Sequence, residues 1–322
     1  MNDFVHGGTL TNEAKPSVSP AVVVSEQGKR RRRGRRQKQT FERLGPALPE
    51  GLFVSRNGRP VIGLANLYFG ADLFLCLSGP SLTTLPLDEL KRRGIMTMAV
   101  NNAACVVRPN IWTCVDPPEK FHSDIWDDPA VLKLFPVRRF WAHVRRRDDK
   151  NEFYYVRQHY KDMPGALGYI KTAVFNPINY LQEAAINSGN SKKYAGQNGQ
   201  PHILNVMFAA LKIPYYLGFR RVFLCGCDFR MEPGGVYCFD QGKELGAMDS
   251  NNGTYAKLNV MLARLRPVFD EAGYKVYNCN ALSGLKVFPH VDFMEAINDS
   301  VKGISARPAT DGWYSKGGRP AS

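Results

Sequence analysis

Residues 72–100 read DLFLCLSGPSLTTLPLDELKRRGIMTMAV, and this stretch constrains the fold more than any other. Two short apolar runs, DLFLCL and IMTMAV, flank a segment in which Leu87 and Leu90 share a helical face and Gly94 is placed to cap its end. A continuous apolar run that is too short for a helix fits a strand buried on both faces. Strand, helix and strand in this order form a βαβ unit, the seed of a parallel sheet. The run NIWTCVDPP supplies a third strand, and RRVFLCGCDF and YKVYNCN two more. Between those two, Leu258, Met261, Leu262, Leu265 and Phe269 recur at the spacing of an amphipathic helix. PHILNVMFAALKIPYYLGF reads as a buried helix ending near Gly218, bent or shortened by Pro214. The fold class that follows is α/β and Rossmann-like, with a mostly parallel sheet flanked by helices.

The organisation expected is a disordered basic tail at 1–45, a single α/β nucleotide-binding domain at 46–305, and a loose C-terminal tail at 306–322. Within the domain, 126–200 breaks the α/β rhythm and reads as an irregular insertion or lid; its end, NSGNSKKYAGQNGQ at 187–200, reads as a loop. The tail's run KRRRRGRRQK at 29–38 holds eight of the chain's +14 formal charges and no acid, which leaves the rest of the chain at +6. Such a run is either a solvated, solubilising segment or an arm for nucleic acid or another polyanion, whose phosphate contacts would be salt-dependent and blind to sequence.

Seven Cys in a 322-residue chain, none at CxxC spacing and most in apolar runs, point to reduced thiols and a cytoplasmic location rather than a disulfide framework. Cys225 and Cys227, two apart, are expected on one face of a strand. No apolar segment is long enough to span a bilayer. Glycine-rich fingerprints of the dinucleotide fold and of the P-loop are both missing, and no Asp-x-Asp occurs, so no metal is expected.

In an open parallel sheet, ligands bind beyond the carboxyl ends of the strands. Four polar clusters fall there: Ser78-Gly79-Pro80-Ser81, Asn101-Asn102, Asp116, and Gly226 with Asp228. Gly79 lacks a Cβ, so backbone N–H groups can approach a phosphate, and a helix starting at Ser81 would favour an anion. Asn101 and Asn102 can bond a base or sugar without adding charge. His202 and His290 are candidate bases, Arg230 and the cluster at 138–147 can offset phosphate charge, and Tyr154, Tyr155, Tyr160 and Tyr169 read as packing or lid residues.

In order along the chain, LCLSGPSL, AVNNA and LGFRRVFLCGCDFRMEPGGVYCFD resemble the bacterial sialyltransferases that use CMP-sialic acid, and the Rossmann-like proteins grouped with the archaeal 6-hydroxymethylpterin diphosphokinase. The resemblance covers roughly 70–120 and 200–290. It implies a nucleotide-sugar donor, CMP-linked in the sialyltransferases, with Ser78, Gly79, Pro80 and Ser81 at its phosphate or ribose. It also implies Asn101 or Asn102 at the nucleotide and Gly226 and Asp228 beside the pocket. The sialyltransferases carry a catalytic His in the helix after the Phe-Asp block, where this chain has NNGTYAKLN. Asp228, Tyr255 and His290 are therefore the candidate catalytic residues. Three functions remain open at this point: a glycosyltransferase, a phosphoryl transferase with Asp116 and Asp228 on a metal, and a non-catalytic nucleotide- or nucleic-acid-binding protein.

Overall fold

The computed structural model describes residues 51–150, 152–172, 175–187, 205–233, 235–240 and 245–308. The expected tail at 1–45 with its basic run, residues 188–200, His202 and residues 309–322 lie outside the described residues.

Along the chain the strands are β1 (Phe53–Val54), β2 (Asp72–Cys76), β3 (Thr97–Val100), β4 (Ile111–Thr113), β5 (Leu132–Pro136), β6 (His143–Arg147), β7 (Phe153–His159), β8 (Ala166–Tyr169), β9 (Lys171–Thr172), β10 (Ile186–Asn187), β11 (Arg221–Cys225) and β12 (Lys275–Asn278). The helices are α1 (Asp124–Asp127), α2 (Val206–Leu217), α3 (Leu245–Glu271) and α4 (Phe293–Ser300). Eight strands form one sheet in the order β1-β8-β5-β4-β3-β2-β11-β12. All pair in parallel except the edge strand β1, which runs antiparallel to β8.

The strands are apolar on both faces because both faces are covered. Leu73, Leu75, Met98, Val100, Ile111, Leu134, Val222 and Leu224 pack with α2 and α3. Their alternating neighbours Phe74, Cys76, Ala99, Trp112, Phe135, Phe223 and Cys225 pack with α4 and α1. α2 is buried on every side, consistent with its nearly unbroken apolar sequence. The five periodic residues of α3, from Leu258 to Phe269, are all buried as their spacing predicts. Asn205 caps α2 by accepting from Met207 N–H at 2.8 Å, and Gly218 ends the helix in the left-handed conformation. Pro214 sits in the last turn of α2 without ending it.

The structure differs from the sequence reading in three places. No α-helix follows β2: two 3-10 turns, at Pro80–Thr84 and Leu87–Lys91, replace it. Pro86 is the reason, since it donates no N–H and holds Leu85 extended between the turns. The region 126–200 is more than an insertion, because it supplies β5 and β8 to the main sheet; the β6–β7 hairpin forms a separate two-stranded sheet. Cys225 and Cys227 face opposite sides, one in each core cluster. Gly226, at φ +68°, turns the chain between them and breaks the strand alternation.

From β2 the chain steps outward through β3, β4, β5 and β8, then returns to lay β11 against the other side of β2. The order therefore reverses between β2 and β11, and a crevice opens at the carboxyl ends of strands at such a point. At the opposite end of this pair, Arg221 grips Asp72 with two hydrogen bonds of 2.8 and 2.6 Å and also reaches Asp299 of α4. That ion pair fixes the register of the two strands that border the crevice.

Candidate functional site

The exits of β2 and β11 are stitched together by their backbones. Leu77 N–H donates to Cys225 O at 2.8 Å, and Gly79 N–H donates to Gly226 O at 2.9 Å. Ser81 N–H then donates to Asp228 Oδ2 at 3.0 Å. The second carboxylate oxygen of Asp228 accepts from Asn280 Nδ2, beyond β12. Gly284 N–H at 2.7 Å and Ser283 Oγ at 3.3 Å complete the cage by donating to the Asp228 carbonyl. Asp228 is buried, 8% exposed, with both carboxylate oxygens accepting hydrogen bonds from protein donors. In this structure it braces three chain segments.

Gly79 has no room for a side chain. A Cβ there would collide with Asp228 Oδ2 and stand 2.5 Å from Gly226 O. The glycine thus lets two loops approach each other, where the sequence suggested a cradle for phosphate. The N–H groups of Gly79 and Ser81 are both spent inside the protein, and the short 3-10 turn provides no long helix N-terminus. What this loop offers to the cavity is Ser78, whose Oγ is buried without a hydrogen-bond partner among the described residues; Ser81 Oγ is in the same state but stands outside the lining.

β3 ends at Val100, and the next residue, Asn101, is held at φ +52°. Its carbonyl accepts from Trp112 Nε1 at 2.8 Å, which locks the turn, while its buried Oδ1 has no partner among the described residues. Asn102 Oδ1 accepts from His122 N–H at 3.0 Å. After β4 comes Asp116, 4.0 Å from Lys120 Nζ, with its side chain 46% exposed.

These exits border one cavity of about 650 Å³. Ser78, Gly79, Asn101, Asn102, Asp116, Gly226, Asp228 and Tyr255 all line it. Pro80 and Ser81 stand outside the lining, and so does His290, which is exposed beside the end of β12 and bridges to Asn278. Aromatic rings form part of the wall: Phe229 stacks on Tyr255 at 5.0 Å, and Tyr237 on Phe239 at 5.1 Å. Burial pushes the Tyr255 phenol up to about 12, reinforced by Tyr237, Cys227 and Asp228. At neutral pH Tyr255 is therefore a proton-bearing hydroxyl, suited to donate a hydrogen bond rather than to take a proton. Three cations, Lys120, Lys257 and Arg230, also line the cavity, and Arg230 lies 3.3 Å from Glu232.

Of the four tyrosines read as packing or lid residues, Tyr160 and Tyr169 pack in the core, and Tyr169 OH donates to Cys114 O at 2.7 Å. Tyr154 and Tyr155 are exposed on β7. Sequence reasoning missed Lys120, Phe121, Asn205, Asn251, Thr254 and Lys257 of the lining. Asn251, Thr254 and Tyr255 recur at helical spacing on α3 just before its apolar stripe, and that polar stripe was the available signal. Asn252 fixes it against the β11 exit by accepting from Met231 N–H at 2.8 Å and donating to Met231 O at 3.1 Å.

Fold and site together define an α/β protein with a polar, aromatic-walled cavity at the switch point of a parallel sheet. No family model and no curated protein matches the sequence. Among solved structures, the sialyltransferase CstII from Campylobacter jejuni in complex with a substrate analogue, cytidine-5'-monophosphate, aligns with 69% of this chain and 85% of its own at 15% identity and a TM-score of 0.38. Sialyltransferase CST-II in complex with trisaccharide acceptor and CMP aligns at 12% identity and a TM-score of 0.36, over 68% of this chain and 85% of that one. MAf glycosyltransferase from Magnetospirillum magneticum AMB-1 aligns at 13% identity and a TM-score of 0.32, over 73% of this chain and 37% of that one. Among the described residues no helix is long and apolar enough to cross a membrane.

Proposed function

We propose that the chain is a transferase that binds a nucleotide-activated donor in the strand-end cavity and passes its sugar to an acceptor hydroxyl. One observation carries this reading: Ser78 Oγ and Asn101 Oδ1 are buried without partners among the described residues, at the rim of a cavity of about 650 Å³. Polar atoms left in that state are costly until a ligand satisfies them. The volume suits a nucleotide-sized molecule, and the motif order SGPSL, NNA, GCDF agrees with a nucleotide-sugar site. Ser78 serves the donor's phosphate or ribose, Asn101 and Asn102 the nucleotide, and the Tyr237–Phe239 wall offers a face for the base. Lys120, Lys257 and Arg230 offset charge on the leaving phosphate.

With Asp228 caged, His290 outside the lining and Tyr255 protonated, Asp116 is the cavity carboxylate placed to accept a proton. In the reaction the acceptor oxygen forms a bond to the sugar carbon and its proton passes to Asp116. The carbon–oxygen bond to the nucleotide breaks, and the bonding pair leaves with the phosphate. The phosphoryl-transfer alternative needs Asp228 on a metal, and its oxygens are engaged by Ser81 and Asn280.

The test is a thermal-shift panel of CMP, UDP, GDP and ATP, each with and without magnesium. A ligand at 100 times its Kd stabilises the native state by about 2.7 kcal/mol. The expected result is stabilisation by a nucleotide without magnesium, lost in Ser78→Ala. Stabilisation by ATP alone and only with magnesium would overturn this reading in favour of phosphoryl transfer, and no response to any nucleotide would overturn both.

A further inference from the structure

Beside the cavity stand three cations for which no ion pair is found among the described residues: Arg138, Arg139 and Lys171. Arg138 and Arg139 lie in the 3-10 turn that follows β5, and Lys171 opens β9 directly after β8. β4, whose exit carries Asp116, is the neighbour of β5, and β5 is the neighbour of β8. Three adjacent parallel strands thus deliver Asp116, the arginine pair and the lysine to one stretch of the sheet edge. That stretch continues the line of strand ends that borders the cavity, and Asp116 belongs to the cavity lining.

The other basic residues nearby are already engaged. Arg146 pairs with Asp127, Arg145 donates to Glu119 O, and Arg147 lies over the Phe153 ring at 4.5 Å. Arg139, by contrast, has a buried Nε with no hydrogen-bond partner among the described residues. Burial lowers the Lys171 amine to about 8; Arg138 and Arg139 push it the same way, and Asp116 opposes them. Like charges gathered around a half-buried amine are unfavourable until an anion joins them.

We propose that Arg138, Arg139 and Lys171 form an anion subsite beside the cavity, which holds a carboxylate or phosphate of a substrate. Guanidinium groups present planar donor forks that match both anions. The subsite depends on the transferase reading only for the molecule that brings the anion. An acceptor anchored there by its anion would present its hydroxyl beside Asp116; a nucleoside diphosphate would instead place its terminal phosphate there.

The full-length chain is treated with an amine-acetylating reagent at about pH 7, and Lys171 labelling is quantified by peptide mass spectrometry with and without inorganic phosphate. An anion that returns the amine by one pKa unit lowers its neutral fraction about ten-fold, and the labelling rate falls with it. The same protection is expected to disappear in Arg139→Gln, and in the exposed-site variant Arg138→Gln should the first unfold. Circular dichroism and melting temperature establish which variants retain the fold. Phosphate protection that persists with CMP bound identifies an acceptor anion, whereas protection by CDP but not by CMP identifies the second phosphate of the nucleotide. Unchanged Lys171 labelling on adding phosphate to the native chain overturns the proposal, as does protection that survives in both arginine variants. Failure of the nucleotide panel with intact phosphate protection would sink the transferase reading and leave the subsite standing.

Discussion

Asp228→Asn separates a brace from a catalytic base. The substitution is isosteric, so packing is kept and only the hydrogen-bond pattern changes. In the native structure Ser81 N–H donates to one carboxylate oxygen at 3.0 Å and Asn280 Nδ2 donates to the other. An amide satisfies one of these and turns its own NH2 toward the other donor, whichever way it is oriented. Asn280 cannot simply rotate in compensation, because its Oδ1 accepts from Leu282 N–H at 2.9 Å. Losing a hydrogen bond to a charged group costs about 1.5–3 kcal/mol, and a buried donor left unpaired about 1–3 kcal/mol. These overlap in part, so about 2–4 kcal/mol is the expected loss. Urea unfolding followed by far-UV circular dichroism measures it as a lower midpoint at unchanged slope. A base facing an acceptor would instead lose turnover at full stability. A variant within about 0.5 kcal/mol of the native protein would refute the brace.

Two further substitutions test the site and the core. Asn101 occupies the left-handed region at φ +52°, so Asn101→Ala should lose about 1–2 kcal/mol. Asn101→Gly should keep stability yet lose nucleotide affinity, and equal nucleotide shifts in Asn101→Gly and the native chain would count against the site. Lys212 is buried in α2, donates to Ala185 O at 2.8 Å, and burial lowers its amine to about 8 against an ordinary 10.5. Between about pH 8 and 10.5 the unfolded chain holds this proton and the native chain does not, so this residue's contribution to stability rises with pH across that window. Buried thiols and phenols act in the opposite sense, so the quantity to measure is the difference between the native chain and Lys212→Met. The stability of the native chain relative to Lys212→Met should rise as pH goes from about 8 to 10; a difference flat with pH would contradict it.

The parallel sheet and the stripe of α3 were legible because burial on both faces and a helical repeat leave local signatures. The collection of Ser78, Asn101, Asp116 and Gly226 at one edge was legible too, since a parallel sheet sends every strand end to the same side. β5 was hidden by Lys133, a buried lysine whose Nζ donates to Val131 O at 3.1 Å and Pro164 O at 2.7 Å. Val131 O is a local partner, but Pro164 O comes from 31 residues away, and no local pattern announces it. The task of Asp228 was equally out of reach. Its partners Ser81 and Asn280 lie 147 and 52 residues away, so the residue reads as a lone acid at a strand end until the sheet brings them together. The expected helix after β2 failed at Pro86, where a helical spacing of leucines outweighed a visible breaker.

The brace around Asp228 also sets a clock on synthesis. Its three contributors sit near residues 81, 228 and 280, so the loop after β2 leaves the ribosome long before the groups that fix it. Because a chain is made from its N-terminus, β2 through β8 can pair while this wall of the cavity is still unsupported. Only when β12 and Asn280 have emerged does the last strap close. A chain cut before residue 280 would lack that strap and leave this wall of the cavity unbraced.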